Sequence, residues 1–240
     1  MPKGDQCEFR SPAGNTEIVT WDATLFWNVY YIKGAFLDSD KAFEVLNGLK
    51  TYEMRVLHKA INTLVLARVL DEHPGINVNC PALEARPNHP IMKKVMRQGW
   101  PAGLFTIDME GDANSGVEAV KQADFKRFLD SLEPAIGMQV TLGQTNTTAL
   151  CPALTSHSEL SESALREASI MPTTLRISVG LEDPRVLIAH IKMASKNALP
   201  EEYHQKFPSN EKIDQLYSEI YKRVHEDYID SRVSMEDLLK

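Results

Sequence analysis

One arginine lies inside an apolar run, Leu175-Arg176-Ile-Ser-Val179, and its type and setting could do chemistry. A guanidinium is a planar fork of donors that grips a carboxylate through two parallel hydrogen bonds, which a lysine ammonium cannot copy. Beside hydroxyl side chains such a fork is a means of holding an α-amino acid by its carboxylate. The hydroxyls of Thr141 and Ser156 and the imidazole of His157 lie upstream. An unpaired charge in an apolar strand is costly, so Arg176 must reach a partner or open space. On the strand alone the alternatives are an ion pair with an acidic neighbour such as Glu182, or exposure on the polar face. Read alone, Thr141 is a β-branched strand residue and His157 an organiser of its loop.

Other chemistries find little support. Cys7, Cys80 and Cys151 are far apart, odd in number and in no CxxC pair, so they read as reduced thiols. The seven histidines form no HExxH pair, and no metal site is expected. With 26 basic and 33 acidic residues the net charge is −7, which argues against nucleic acid or an anionic membrane as partner. No apolar run approaches the roughly 20 residues of a membrane helix, and the first residues lack the apolar segment of a signal peptide. A cytoplasmic location is expected.

Positioning Arg176 requires a sheet, and 240 residues with 43% hydrophobic content can bury the core of one. Residues 1 to 20 predict a loose lead-in. From Asp38 the apolar positions Ala42, Val45, Leu46, Leu49, Met54, Leu57, Ile61 and Leu64 recur at spacings of three and four. That spacing predicts one long amphipathic helix or a broken pair, capped by Asp38-Ser-Asp40 and stopped at His73-Pro-Gly75. Strands are predicted at Ile76 to Cys80, Gly103 to Met109, Met138 to Leu142 and Leu175 to Val179. Helices are predicted at Pro90 to Arg97, from Val117 through Leu129, and from Asp183-Pro184 through Met193. The alternation argues α/β or α+β: a two-layer sandwich of about four strands covered by helices on one side. The stripe Ile213, Leu216, Tyr217, Ile220, Tyr221 and Val224 predicts a docking helix, a candidate interface, and Asp230 to Lys240 a frayed end.

Several motifs resemble, in order and spacing, the C-terminal domain of the Cys/Met-metabolism (trans-sulfuration) family of pyridoxal-phosphate enzymes. They are Val140-Thr-Leu-Gly143, Pro152-Ala-Leu-Thr-Ser-His157 and Leu175-Arg-Ile-Ser-Val-Gly-Leu-Glu182, with Gly48-Leu-Lys-Thr51, Arg55, Asn62 and His73-Pro74 upstream. The likeness covers about residues 28 to 195. It implies the small C-terminal domain of a fold-type I enzyme, with 1–27 a remnant of a large domain, 28–196 the domain itself and 197–240 a helical extension. It implies pyridoxal phosphate as cofactor, and a sulfur-containing amino acid or O-activated homoserine as substrate. The implied substrate-binding residues are Arg176 for the carboxylate, with Thr141, Ser156 and the variable Val140 beside it. The sequence departs from the family at Lys59, where a His is usual, at Gln144, where a second Gly is usual, and at Asp38, where a Ser-Pro step is usual. Gln144 puts a close backbone approach in question.

The chain also lacks what that cofactor needs: a lysine for the Schiff base, a carboxylate for the pyridine nitrogen and a phosphate cup. The family's Ser-x-Thr-Lys motif and a Gly-rich phosphate loop have no counterpart here, and Lys33 lies downstream of where the cofactor lysine belongs. No catalytic residue is therefore assigned. Three readings remain open: a carboxylate-holding portion that is inactive alone and needs a complementing large-domain chain or an oligomer, a non-catalytic subunit of a full-length paralogue, and an unrelated interaction domain.

Overall fold

The spacings of three and four beyond Asp38 resolve into a broken pair of helices in the computed structural model, which describes residues 6–10, 16–20, 25–34 and 36–231. The chain divides into two compact units, 1–52 and 53–240. In the first, β1 (Gln6–Arg10) and β2 (Thr16–Thr20) form an antiparallel hairpin where a loose lead-in is predicted. The run Thr-Glu-Ile-Val-Thr is rich in β-branched residues, and that propensity outweighs the polar composition around it. A π-helix, α1 (Leu25–Ile32), and α2 (Ser39–Lys50) complete the unit. Asp38 caps α2, its carboxylate accepting from the Lys41 N–H at 2.9 Å.

The second unit carries α3 (Tyr52–Asp71), β3 (Asn77–Asn79), α4 (His89–Val95), β4 (Leu104–Asp108), α5 (Gln122–Asp130), β5 (Gly137–Met138) and β6 (Thr148–Leu150). After these come α6 (Glu162–Glu167), β7 (Leu175–Ser178), α7 (Pro184–Ala198), α8 (Glu201–His204) and α9 (Asn210–Asp230). The sheet has five strands, in the order β3-β4-β7-β6-β5, antiparallel except for the parallel pair β5 and β6. This is the expected α/β architecture with one strand more than predicted. The added strand, Thr148-Ala-Leu150, is buried at every position, so it lacks the alternation that marks a half-buried strand. The predicted strand Met138 to Leu142 stops at Met138: the Gln139 N–H makes a last bond to the Ala149 carbonyl at 3.2 Å, and the chain then leaves the sheet and turns at Gly143, whose φ is +85°. The helix predicted from Val117 starts instead at Gln122. Val117 lies in an isolated bridge to Asp112, and Lys121 is the cap.

Leu175 and Ile177 of β7 point to the helix-covered face with Ile107, Ala149, Phe128 and Ile191. Each of the leucine, isoleucine and phenylalanine side chains contributes about 1.5–3 kcal/mol when fully buried. Arg176 and Ser178, on the alternate positions, face the other way. The α3 helix is buried nearly all round, including the polar Asn62 and Thr63. Asn62 donates to the carbonyls of Gly180 (3.1 Å) and Glu182 (2.8 Å), fixing the chain just beyond β7.

The α9 stripe predicted as an interface packs on its own unit in part, with Leu216 and Tyr217 half-buried and Tyr221 exposed. Ile213, Ile220 and Val224 are buried within their own unit, where Lys212 pairs with Glu72 and Asp214 with Arg185. An amphipathic helix specifies that its apolar face is covered, not by which chain. Of the predicted frayed end, Asp230 to Lys240, Asp230 closes α9 and Ser231 is its cap, and the rest lies outside the described residues. No helix among the described residues is long and apolar enough to cross a membrane.

Candidate functional site

Arg176 stands in the middle strand, opposite Thr106 of β4 and Leu150 of β6. It is half-buried, and one guanidinium nitrogen donates to the Val140 carbonyl at 3.0 Å. No described residue forms an ion pair with it, and its other N–H groups have no protein acceptor among the described residues. A guanidinium carries five donors, so the grip on Val140 aims the fork and leaves most of it available. The acid that could have neutralised it, Glu182, is engaged elsewhere. Its two carboxylate oxygens accept from the Thr147 N–H (2.6 Å) and hydroxyl (2.8 Å).

Residues 139–147 lie along the Arg176 face of β6 and β7, tied down at both ends. The Gly143 N–H donates to the Ser178 hydroxyl at 3.3 Å, and Thr148 makes a long 3.5 Å bond to the Thr141 carbonyl. The Leu181 N–H reaches the Thr145 carbonyl at 2.7 Å, and the Gly180 N–H reaches the Thr147 hydroxyl at 2.9 Å. Gly180 permits that approach, since a Cβ there would lie 2.5 Å from the Asn146 backbone. Lys59 supplies the remaining tie, its ammonium donating to the Gln144 carbonyl at 2.6 Å. Burial, then the charge of Arg55, lower the Lys59 pKa, while Glu182 opposes the shift. Gln144 has an ordinary negative φ, so the loop makes its close approach with glutamine in place of glycine.

The predicted residues are thus brought together in part. Val140 touches Arg176 through its carbonyl, and its side chain is exposed. Thr141 is the next residue, half-buried, with its hydroxyl making no bond among the described residues. Ser156 is exposed on the turn after β6, 2.8 Å from Nδ1 of the neighbouring His157, and no bond joins it to Arg176. Lys59, Thr147 and Ser178 hold the loop without having been singled out as partners. Lys59 left a trace as a departure from pattern, but Thr147 and Ser178 are ordinary residues at the ends of strands in a single sequence.

The fold is that of fold-type I pyridoxal-phosphate enzymes. It matches a crystal structure from Campylobacter jejuni assigned as an O-acetylhomoserine (thiol)-lyase, which carries N'-pyridoxyl-lysine-5'-monophosphate, with a TM-score of 0.62 and 26% identity over 78% of this chain and 44% of that one. The family model for "Cys/Met metabolism PLP-dependent enzyme" matches residues 16–196, and the chain belongs to that family. Thermus thermophilus O-acetyl-L-homoserine sulfhydrylase 1 is 36% identical over 163 residues, 68% of this chain and 36% of that protein. The L-methionine gamma-lyase of Fusobacterium nucleatum subsp. polymorphum is 29% identical over 172 residues, 71% of this chain and 40% of that protein. The chain therefore spans well under half the length of the relatives it matches.

The family depends on pyridoxal phosphate, but the described residues do not form a site for it by themselves. Lys59 and Lys192 are the lysines among them that are not exposed, and both ammonium groups donate to main-chain carbonyls. Asp108, a buried carboxylate, is occupied by the Thr174 hydroxyl. Burial pushes the thiols of Cys80 and Cys151 up, away from the nucleophilic form. What the arrangement offers is a grip for a carboxylate.

Proposed function

We propose that this chain supplies the substrate-carboxylate grip of a trans-sulfuration-type, pyridoxal-phosphate-dependent site in the cytoplasm. The observation that carries the reading is Arg176, with N–H groups to spare and aimed by the carbonyl of Val140, whose loop carries Thr141 as the next residue. In this reading the guanidinium takes the substrate carboxylate, Thr141 adds a hydroxyl donor, Val140 bounds the side-chain space, and Ser156 is a further hydroxyl on the turn after β6. The substrate is a sulfur-containing amino acid or an O-activated homoserine, a class supported by relatives named for O-acetyl-L-homoserine and L-methionine. The chain alone is inactive, since it carries no cofactor-lysine motif, and it works in an oligomer or with a complementing chain that brings the lysine. The same missing motif favours a second reading, a non-catalytic subunit that associates with a full-length paralogue.

The test is equilibrium binding of L-methionine and O-acetyl-L-homoserine to the chain in its assembled form, each compared with its methyl ester. Two charge-assisted bonds predict that Arg176→Lys weakens the acids by roughly 10- to 100-fold and leaves the esters unchanged. Equal binding of acid and ester would sink the reading. Turnover on adding the lysine-bearing partner separates the first reading from the second. Turnover by the purified chain with pyridoxal phosphate alone would overturn the claim of inactivity.

A further inference from the structure

We infer that the segment after α9, Arg232-Val-Ser-Met-Glu-Asp-Leu-Leu-Lys240, folds back on the second unit and seats Leu238 and Leu239 in an apolar pocket beside α4. The segment lies outside the described residues, and its sequence joins two acids, Glu236 and Asp237, directly to the two leucines. It also lies beyond the stretch that the family model matches, residues 16–196, and the inference stands apart from the carboxylate grip.

The pocket is a cavity of about 260 Å³ lined by residues between 80 and 104. Its floor is Cys80, Met92 and Pro101, all buried, and its rim is Ile91, Val95 and Leu104, all exposed. Ile91 and Val95 lie four apart on one face of α4 and are 59% and 68% exposed, so the rim offers more apolar surface to whatever fills the floor. No charged residue lines the cavity, and an amino acid would find no partner there for its own charges. Burial pushes the Cys80 thiol up, which keeps it neutral. A dry space of about 150 Å³ holds a benzene-sized group, so this one has room for one leucine side chain and much of a second.

Position, reach and charge point to this occupant. Tyr228, in the last turn of α9, packs on Trp100 with ring centroids 5.9 Å apart, and Trp100 directly precedes Pro101 of the pocket floor. The end of α9 therefore delivers the chain beside the pocket. Ser231 lies within about 5 Å, one helical turn, of Tyr228, and the stretch from Ser231 to Leu238 spans up to roughly 23 Å when extended. Lys93 and Lys94, at the end of α4 and next to Val95 of the rim, are exposed and form no ion pair among the described residues. Glu236 and Asp237 precede the leucines as those lysines precede the rim, so seating the leucines brings opposite charges together. A short tether holds its segment at a local concentration in the millimolar range, which favours the chain's own segment over that of a second copy.

The test places p-benzoylphenylalanine at Leu239 in the full chain, mixes it with an isotope-labelled copy of the same chain, irradiates, and maps the crosslinked peptides by mass spectrometry. The expected result is a crosslink within one chain to the stretch 89–104. Lys93→Glu with Lys94→Glu should lower its yield roughly fivefold, as the loss of two exposed ion pairs does, and adding Glu236→Lys with Asp237→Lys should restore it. Restoration also shows that the reversed chain folds. In a further full-length variant, Leu238→Ser with Leu239→Ser, alkylation of Cys80 by a maleimide should speed up several-fold while that of Cys151, which is buried outside the pocket, stays unchanged. Crosslinks that join a labelled to an unlabelled chain would make a second copy the occupant and overturn the inference. Crosslinks to other parts of the chain, none at all, a yield indifferent to the lysines, a charge swap that fails to restore it, or an unchanged Cys80 would overturn it too.

Discussion

The ammonium of Lys59 donates a 2.6 Å hydrogen bond to the carbonyl of Gln144, joining α3 to the loop that carries Val140 and Thr141 across 85 positions of sequence. These are two of the positions at which the sequence departs from the family's pattern, and they meet. The acceptor is main chain, so the bond depends on the path of the loop and on a long cationic side chain at position 59, not on a glutamine.

It follows that Lys59→Met should loosen residues 139–147, while Gln144→Gly should keep the tie. One charge-assisted bond at a partly exposed position is worth about 1 kcal/mol. Hydrogen exchange of the peptide spanning 139–147 should rise several-fold in Lys59→Met with little change in α7. In Gln144→Gly the rise should be small, set by the added freedom of glycine. Equal exchange in the two variants would show that the ammonium does not hold the loop.

Gly180 provides a sharper case. An added Cβ would come within 2.5 Å of Asn146 and Thr145 backbone atoms, which cannot swing aside as a side-chain tip can. Gly180→Ala should cost about 1–3 kcal/mol, as overpacking does, and displace the loop from Arg176. At Gly137 the nearest atom would be the Gln139 side-chain nitrogen at 3.6 Å, so Gly137→Ala is the matched control. Urea midpoints should fall clearly for the first and barely for the second, at unchanged m.

How much of this was legible in the sequence depends on what each residue does. Arg176 was, because a charge inside an apolar strand demands an explanation, and Asp38 was, because a cap has a local signature. The β6 strand was not, because a strand buried on both faces loses its alternation. The hold on the loop was invisible for another reason. Thr147, Ser178 and Glu182 act through contacts made only once β6 and β7 are paired, and no local spacing announces a hydrogen bond 33 or 35 residues away. The α9 stripe announced that it would be covered, but only packing could assign it to its own unit.

Asp108 gives a prediction in pH. Burial, opposed by the Thr174 hydroxyl, raises its pKa above the ordinary carboxylate value of 3.8. Between that value and its raised folded value, the folded chain holds more protons than the unfolded chain, so this group's contribution to stability falls as pH rises. Asp108→Asn keeps an acceptor for Thr174 and removes the proton equilibrium. The stability of the variant relative to the unaltered chain should therefore increase from pH 4 to pH 6, as read by urea denaturation at each pH. A constant difference would place the Asp108 pKa at its unfolded value.

His73 should act with the opposite sign. It is buried, with Nε2 2.7 Å from the Tyr203 carbonyl, which can only accept, so Nε2 carries the proton. Nδ1 is then the bare nitrogen and accepts from the Gly75 N–H at 3.1 Å. Protonating it would set two N–H groups against each other in a site closed by Tyr203 and Phe207. Burial accordingly lowers the His73 pKa below 6.5. Below 6.5 the unfolded chain takes up a proton that the folded chain refuses, so stability is present above that pH and is lost as pH falls through it toward the folded value. The loss is about 1.4 kcal/mol for each unit by which the folded pKa is depressed. His73→Gln, although less stable at neutral pH, should lose less between pH 7.5 and pH 5. An equal loss in variant and parent would show that His73 is not the group through which acid unfolds this unit.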